Sequence, residues 1–466
     1  MPRTRLRPDQ DRVREELKAR PRSLLIAPPG WGKTPLSLRW AFDRARFPRY
    51  EHLHLAIVPN LGGAGPRHWK RQAERWANYR DIVVAPRDRQ ARHLLWREIR
   101  TFLNCPDWES LVIATYEQVR SDIELVRAIP WNLLIVDEAH RIKDRRAQQS
   151  KAVASLARVA DSVLLMTGTP IINRLDELWH LLHVLDPGRF RSYWRWVDQW
   201  CAMSVRSFGS RTVRQVIGPR PPVDQTLARL SSEISDLVLQ EQEVRGQGLE
   251  QIILPIELSG PERRIYDQLR RHMWLSAQET GGEDLAVWSP GALVTRLRQL
   301  VSDWTSLIET EASASKIKAA LDLVVKGDLS DEPVLILTAF RSSAETLHRQ
   351  IPGSVLYHGG TSHEGRASAL EAFTSGKARA LVGTIAALGE GIDGLQHRAH
   401  HIVFLDRDWS PARMDQALGR LVREGQEHQV TAWHIVARDT IDETVAQALV
   451  EKRDLAQALR QALQSD

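Results

Sequence analysis

The apolar run Leu24-Leu25-Ile26 ends in Ala27-Pro28-Pro29-Gly30-Trp31-Gly32-Lys33-Thr34 and passes straight into a helical pattern, Pro35-Leu36-Ser37-Leu38. No other stretch constrains the chain as much. A buried strand must deliver a tight Gly/Pro turn whose amides point inward, and the positive end of the next helix must face the same point. That is a phosphate-binding P-loop. Pro29, Gly30, Trp31 and Gly32 form its cradle. Lys33 reaches the β- and γ-phosphates of a nucleotide, and the Thr34 hydroxyl ligates Mg²⁺. Pro35 is tolerated because it falls in the first helical turn. Ala27 stands where the pattern prefers Gly.

A strand feeding a P-loop belongs to a sheet, and the chain supplies one. Apolar runs at His52–Val58, Ile82–Val84, Leu111–Tyr116, Trp131–Val136 and Val163–Met166 alternate with helical patterns. Such alternation predicts an α/β fold with a doubly wound parallel sheet and ligands at the strand ends. The Trp131–Val136 run leads directly into Asp137-Glu138-Ala139-His140. Carboxylates at the end of an apolar strand, downstream of a P-loop, suit a nucleotide site: Asp137 holds Mg²⁺ and Glu138 polarises the attacking water. Upstream, Gln10 offers an amide that can pair with both donor and acceptor atoms of adenine. Between Asp186 and Gly248 the alternation lapses: Arg189–Trp200 is rich in Trp and Arg, Arg206–Pro222 reads as a loop or short hairpin, and Leu227–Val244 reads as a helix. A second alternation begins near Lys316 and carries no P-loop. It includes a helix expected over Arg413–Arg423, then a last strand over Val430–Val436 and a C-terminal helix from about Asp442.

Composition narrows the class. With 466 residues the chain holds two to four domains at roughly 100–200 residues each. A net charge of +6 permits a polyanionic partner without demanding one. Two cysteines, Cys105 and Cys201, leave neither a zinc knuckle nor a disulfide framework. No apolar run reaches the ~18–20 residues of a membrane span, and Met1-Pro2-Arg3-Thr4-Arg5 lacks a signal-peptide core. The expectation is a soluble, intracellular protein without a membrane partner.

The longer runs around these motifs resemble the Swi/Snf-type (Snf-two) ATPase family of helicase superfamily 2. They are Trp131–Asp144, ending His140-Arg141-Ile142-Lys143-Asp144; Leu164–Trp179, with Thr167-Gly168-Thr169-Pro170; Ile256–Leu269; Ser315-Lys316-Ile317; and Gln416, Gly419-Arg420, Arg423 and Gly425-Gln426. The resemblance spans nearly the whole chain. It implies two RecA-like doubly wound lobes with short helical protrusions: residues 1–250 as the first lobe, with a protrusion from about 187, residues 251–315 as linker and protrusion, and residues 316–466 as the second lobe. It implies that the lobes close around one ATP with Mg²⁺, that Gly391, Asp393 and Gln416 contribute to the nucleotide site, and that Arg420 and Arg423, one helical turn apart, act as arginine fingers. It also implies duplex DNA as partner, tracked by phosphate contacts without sequence reading. The candidates are Asn60, Gly62, Gly63, His68, Thr115, Asn173, His358, Gly359 and Thr384. Gly391-Ile392-Asp393-Gly394 departs from the family's usual Gly-Ile-Asn-Leu, and Gly419 stands where Asp is common.

The resemblance thus implies a DNA-dependent ATP hydrolase of translocase type. The small, undecorated chain suggests a monomer from a bacterial or phage-infected cytoplasm. Two alternatives stay open: a strand-separating DNA or RNA helicase, and a nucleic-acid-binding factor that uses the nucleotide only as a switch.

Overall fold

The computed structural model describes residues 5–44, 52–60, 64–101, 109–168, 174–208, 211–241, 248–279, 290–307, 313–388, 392, 394–423 and 425–450. The chain divides between residues 243 and 244 into two units. Among the described residues no helix is long and apolar enough to cross a membrane.

The first unit is built on β1 (Arg22–Ile26), β2 (His52–Val58), β3 (Asp81–Val84), β4 (Glu109–Thr115), β5 (Leu133–Val136), β6 (Ser162–Thr167) and, after the hairpin of β7 (Cys201–Phe208) and β8 (Arg211–Pro219), β9 (Val238–Gln240). The sheet order is β3-β4-β2-β5-β6-β1-β9, and every pairing is parallel. Helices cover both faces, so the strands are apolar throughout rather than alternating: Leu24 and Ile26 join the main core, and Leu25, facing the other way, is equally buried. Sequence reading extended one helix over Leu227–Val244. It stops at Ile234, and Val238–Gln240 pairs beside β1 instead. The sheet edge next to β1 offers backbone partners that a further helical turn would not use, and Leu24 N–H already bonds the Leu237 carbonyl at 2.8 Å.

A buried ion pair braces the β3–β4 end. Arg92 and Asp122 are both buried. The Asp122 carboxylate accepts from the Arg92 guanidinium and from Trp96 Nε1 at 3.1 Å. Burial alone would raise this carboxyl; the bonds from Arg92, Ser121 and Trp96 outweigh it and hold the group well below the usual range.

The second unit carries β10 (Leu249–Ile256), β11 (Val334–Thr338), β12 (Ser354–Tyr357), β13 (Ala380–Thr384), β14 (His401–Phe404) and β15 (Val430–Ala437), in the order β10-β15-β14-β11-β13-β12 and again all parallel. Val334 and Ile336 pack on one face and Leu335 and Leu337 on the other, so this sheet too is buried on both sides. In the stretch 251–315, read from sequence as linker and helical protrusion with strand-like alternation over Ile252–Leu258, strand β10 pairs with β15. Leu258, Tyr266, Leu300 and Trp304 of this stretch pack in the same core as β11. Lys316 is fully buried at the centre of the unit: its ammonium donates to the Leu405 carbonyl at 2.6 Å and pairs with Asp406 at 3.3 Å and Asp442 at 2.5 Å.

Candidate functional site

At the C-terminal end of β1 the chain turns through Ala27–Gly32 into the helix Lys33–Arg44. Gly30 and Gly32 take φ of 81° and 92°, a region that side chains disfavour. The loop is seated on β6 by a bond from Ala27 N–H to the Thr167 carbonyl at 3.1 Å. Lys33 is nearly buried, and its ammonium donates to the loop's own carbonyls, Ala27 at 2.7 Å and Pro28 at 3.1 Å. These weak neutral acceptors hold the cation over the turn, where phosphate oxygens would compete for it with full charge.

Gln10 is buried beneath the same turn. Its carbonyl oxygen accepts from Arg7 N–H at 3.0 Å, and its amide nitrogen donates to the Trp31 carbonyl at 2.9 Å. Arg7 also reaches the Trp31 carbonyl, at 2.7 Å. A primary amide has two donors and two lone pairs, so these bonds use half of its capacity. The first duty of Gln10 is to position the cradle.

Asp137 and Glu138 leave the end of β5, with Asp137 N–H bonded to the Ile57 carbonyl of β2 at 2.9 Å. Asp137 accepts from Trp69 Nε1 at 2.9 Å and from Glu138 N–H at 3.0 Å. Burial raises its carboxyl well above the usual range. The neighbouring Glu138 charge adds to this, and the Trp69 bond and the Lys33 charge offset part of it. A half-buried carboxylate beside a second one, two strands from an ammonium and with the Thr34 hydroxyl at the head of the P-loop helix, is a donor set that fits Mg²⁺.

Glu138 lies in the left-handed region, φ 52° and ψ 51°. Tyr116, following β4, holds it there: its hydroxyl donates to the carbonyls of Asp137 at 2.5 Å and Glu138 at 3.3 Å. Burial pushes the Tyr116 phenol well above its ordinary value, which keeps it a donor. His140 Nδ1 lies 3.2 Å from the Glu138 carboxylate and 3.2 Å from Thr167 Oγ1. Lys143 pairs with Glu177 at 2.8 Å. The ends of β5 and β6 thus meet at His140, and the end of β1 is joined to β6 by the Ala27–Thr167 backbone bond. Trp69, Tyr116 and Arg7 were missed in the sequence. A Trp on an amphipathic helix and a Tyr after a strand look like core residues.

The remaining candidates are placed as follows. Asn60 is exposed just beyond β2. His68 is half-buried on the helix Ala64–Trp76. Thr115 is buried, and its side chain caps the helix Tyr116–Ser121. In the second unit, His358 is buried and its Nδ1 accepts from Gly360 N–H at 3.0 Å, whereas Gly359 is exposed. Thr384 ends β13 and Gln416 is buried on the helix Pro411–Leu418. That helix does not continue to residue 423. It closes at Gly419, and Leu421, Val422 and Arg423 make short-range turn bonds to Leu418, Leu418 and Leu421. Arg420 and Arg423 therefore sit on turns beyond the helix end, not on one helix face, and Arg420 donates to the Ile392 carbonyl at 2.8 Å. Gly62, Gly63, Asn173, Gly391 and Asp393 lie outside the described residues.

Two family models match the chain in succession. The SNF2-related domain model matches residues 17–305 and the helicase conserved C-terminal domain model matches residues 315–425. A CHD3-type chromatin-remodeling factor of Arabidopsis thaliana is 25% identical over 453 residues, covering 91% of this chain and 34% of its own length. An uncharacterized ATP-dependent helicase of Bacillus subtilis is 25% identical over 354 residues, covering 71% of this chain and 60% of its own. A solved Sulfolobus solfataricus SWI2/SNF2 ATPase core in complex with dsDNA covers 100% of this chain and 96% of that one at 19% identity, with a TM-score of 0.43. The chain spans about a third of the Arabidopsis relative and three fifths of the Bacillus one.

Proposed function

The chain belongs to the SNF2-related domain family, and on that premise we propose that it is a DNA-dependent ATP hydrolase of the translocase type, moving on duplex DNA without reading sequence. The observation that carries the reading is the set of polar groups gathered at the strand ends of the first unit: Lys33 over the P-loop, its charge felt by Asp137, Asp137 and Glu138 at the end of β5, and His140 between Glu138 and Thr167.

Thr34 and Asp137 would hold Mg²⁺, which supplies charge neutralisation on the β- and γ-phosphates. Lys33 gives up its carbonyl partners to bind those phosphates. Glu138, oriented by its constrained backbone and by His140, takes the attacking water as its hydrogen-bond donor. Gln10 holds Trp31 and the turn, and has amide capacity left for adenine. Gly391, Asp393 and Gln416 are proposed nucleotide contacts from the second unit. Arg420 and Arg423 supply positive charge to the transferring phosphoryl group, a contribution of roughly 10³–10⁵ in rate for an arginine finger. Backbone amides and small polar side chains at Asn60, Gly62, Gly63, His68, Thr115, Asn173, Gly359 and Thr384 would track the phosphodiester chain. For His358 the buried, internally bonded ring leaves a positioning role for the Gly359-Gly360 turn.

The test is the steady-state ATPase rate with duplex DNA, single-stranded DNA, RNA or no nucleic acid, each at two salt concentrations. Duplex DNA of any sequence gives the largest stimulation, falling steeply with salt because phosphate contacts release counterions. Preferential stimulation by single strands or RNA selects the strand-separating alternative. No stimulation by any of them selects the nucleotide-gated factor.

A further inference from the structure

The strand ends of the second sheet opposite Thr384 and Tyr357 carry a cluster that the proposed motor does not use. Glu332, His400 and His401 each offer one ligand atom, and these atoms all lie within 4.8 Å of one another. The fold brings them together from distant sequence. Glu332 precedes β11, His401 opens β14, and these strands are parallel neighbours with Val334 opposite His401. The backbones are anchored independently of the side chains: the Glu332 carbonyl accepts from Arg379 at 3.3 Å, and the His400 carbonyl accepts from Thr431 N–H at 2.9 Å. Within this cluster His401 Nδ1 is buried and has no hydrogen-bond partner among the described residues. Such a nitrogen costs desolvation without return, and a ligand would supply the missing interaction. A further imidazole, His428, lies beside His400 with ring centroids 4.9 Å apart.

We propose that Glu332, His400 and His401 form a binding site for a first-row divalent transition ion of the zinc type. Two imidazole nitrogens and one carboxylate oxygen are borderline donors that favour Zn²⁺, Ni²⁺ or Cu²⁺ over Mg²⁺, which prefers oxygen alone. With bonds of ~2.0–2.2 Å, the donors of a tetrahedral Zn²⁺ stand roughly 3.4 Å apart. Side-chain rotation over about an ångström closes the cluster to that spacing. The fourth position is left to water or to His428. The ion ties the segment before β11 to the start of β14. It acts as a staple within the second unit and shares no residue with the P-loop or the Asp137-Glu138 pair, so it binds without nucleotide.

The experiment uses the full-length protein after chelator treatment and dialysis, titrated with Zn²⁺ against a chromophoric chelator in the absence of nucleotide. One Zn²⁺ binds per chain. Glu332→Gln and His401→Ala each weaken it by at least about the 10–100-fold that loss of an outer-shell partner costs elsewhere. Lys33→Ala binds Zn²⁺ as the parent does. X-ray absorption on the zinc-loaded protein shows nitrogen and oxygen neighbours with imidazole scattering and no sulfur. Absence of stoichiometric binding overturns the assignment, and so does binding that neither substitution weakens, which marks an adventitious ion only. Displacement of Zn²⁺ by equimolar Mg²⁺ overturns the donor chemistry. Glu332→Gln changes neither shape nor size on a half-buried segment, so it separates loss of a ligand from loss of fold.

Discussion

Gly32→Ala tests whether the cradle is built on Gln10. At φ 92° a Cβ is strained, and an ideal one would stand 2.3 Å from the Gln10 amide nitrogen. The backbone strain costs roughly 1–2 kcal/mol. Relieving the clash moves the Gln10 amide and breaks its two bonds, to Arg7 N–H and the Trp31 carbonyl, at roughly 0.5–1.5 kcal/mol each. The total is about 2–5 kcal/mol. At roughly 2–4 °C per kcal/mol for a unit of this size, the melting temperature falls by about 4–20 °C. Gln10→Ala alone loses only the bonds, about 1–3 kcal/mol. In the double variant those bonds are lost once rather than twice. The double should therefore fall short of the sum of the singles by roughly 1–3 kcal/mol, well above the ~0.3–0.5 kcal/mol scatter of independent sites. Denaturant melts of the four proteins, with nucleotide absent, measure the cycle. Strict additivity would refute the reasoning, because Gln10 would then not occupy the space that Gly32 leaves.

Lys33→Ala abolishes tight binding of nucleotide with Mg²⁺, whereas Glu138→Gln keeps binding and loses turnover; equilibrium binding and single-turnover hydrolysis separate the two. Arg420→Ala and Arg423→Ala each leave nucleotide affinity within a small factor and lower duplex-stimulated turnover roughly 10³-fold. The double variant loses less than the product, since both serve one charge, and normal turnover in both singles would remove the arginines from the reaction. Asp122→Asn strands the buried Arg92 cation and costs roughly 3–5 kcal/mol, read as a lowered midpoint in urea. Because the folded Asp122 carboxyl is depressed, the stability it adds is fully present above the ordinary carboxylate value of about 3.9 and is lost as pH falls through the folded value. The parent's stability falls through that acid window, and the variant lacks this component of the slope.

The P-loop and the Asp137-Glu138 pair were legible because their chemistry is local: a strand end, a turn and a helix start are consecutive in sequence. The parallel sheets were legible for a similar reason, since strands buried on both faces read as unbroken apolar runs. What could not be read depends on contacts between remote segments. Trp69 is one of sixteen tryptophans, and nothing in its helix distinguishes the indole that bonds Asp137 from one that fills a core. β9 is three residues long, too short for periodicity to separate it from the preceding helix. The spacing of Arg420 and Arg423 suits a helix, but the helix ends at Gly419 because the chain there shifts to turn bonding. Glu332 and His401 meet only because β11 and β14 are neighbours, a pairing that spacing does not reveal.

The first unit holds its site at a cost that ligand binding offsets. Glu138 keeps a left-handed backbone, disfavoured by roughly 1–2 kcal/mol, because two carbonyls are pinned by one Tyr116 hydroxyl. Such strain persists only where the surroundings over-determine it. Asp137 keeps a raised carboxyl because burial and Glu138 both oppose its charge. A group raised in the fold gives stability that is complete below its unfolded value and lost as pH rises through the folded one. At neutral pH the ionised Asp137 therefore works against the fold. Lys33 meanwhile rests its ammonium on the Ala27 and Pro28 carbonyls, with its charge also felt by Asp137. The same event eases each of these: phosphate oxygens compete for the ammonium with full charge, and a divalent cation offsets the burial and repulsion that oppose the Asp137 charge. A nucleotide that binds only the folded state stabilises it by RT ln(1 + [L]/Kd), about 2.7 kcal/mol at a hundredfold excess over Kd. His140 Nδ1 stands 3.2 Å from both the Glu138 carboxylate and Thr167 Oγ1, so a change in charge at the end of β5 is felt directly beside the end of β6.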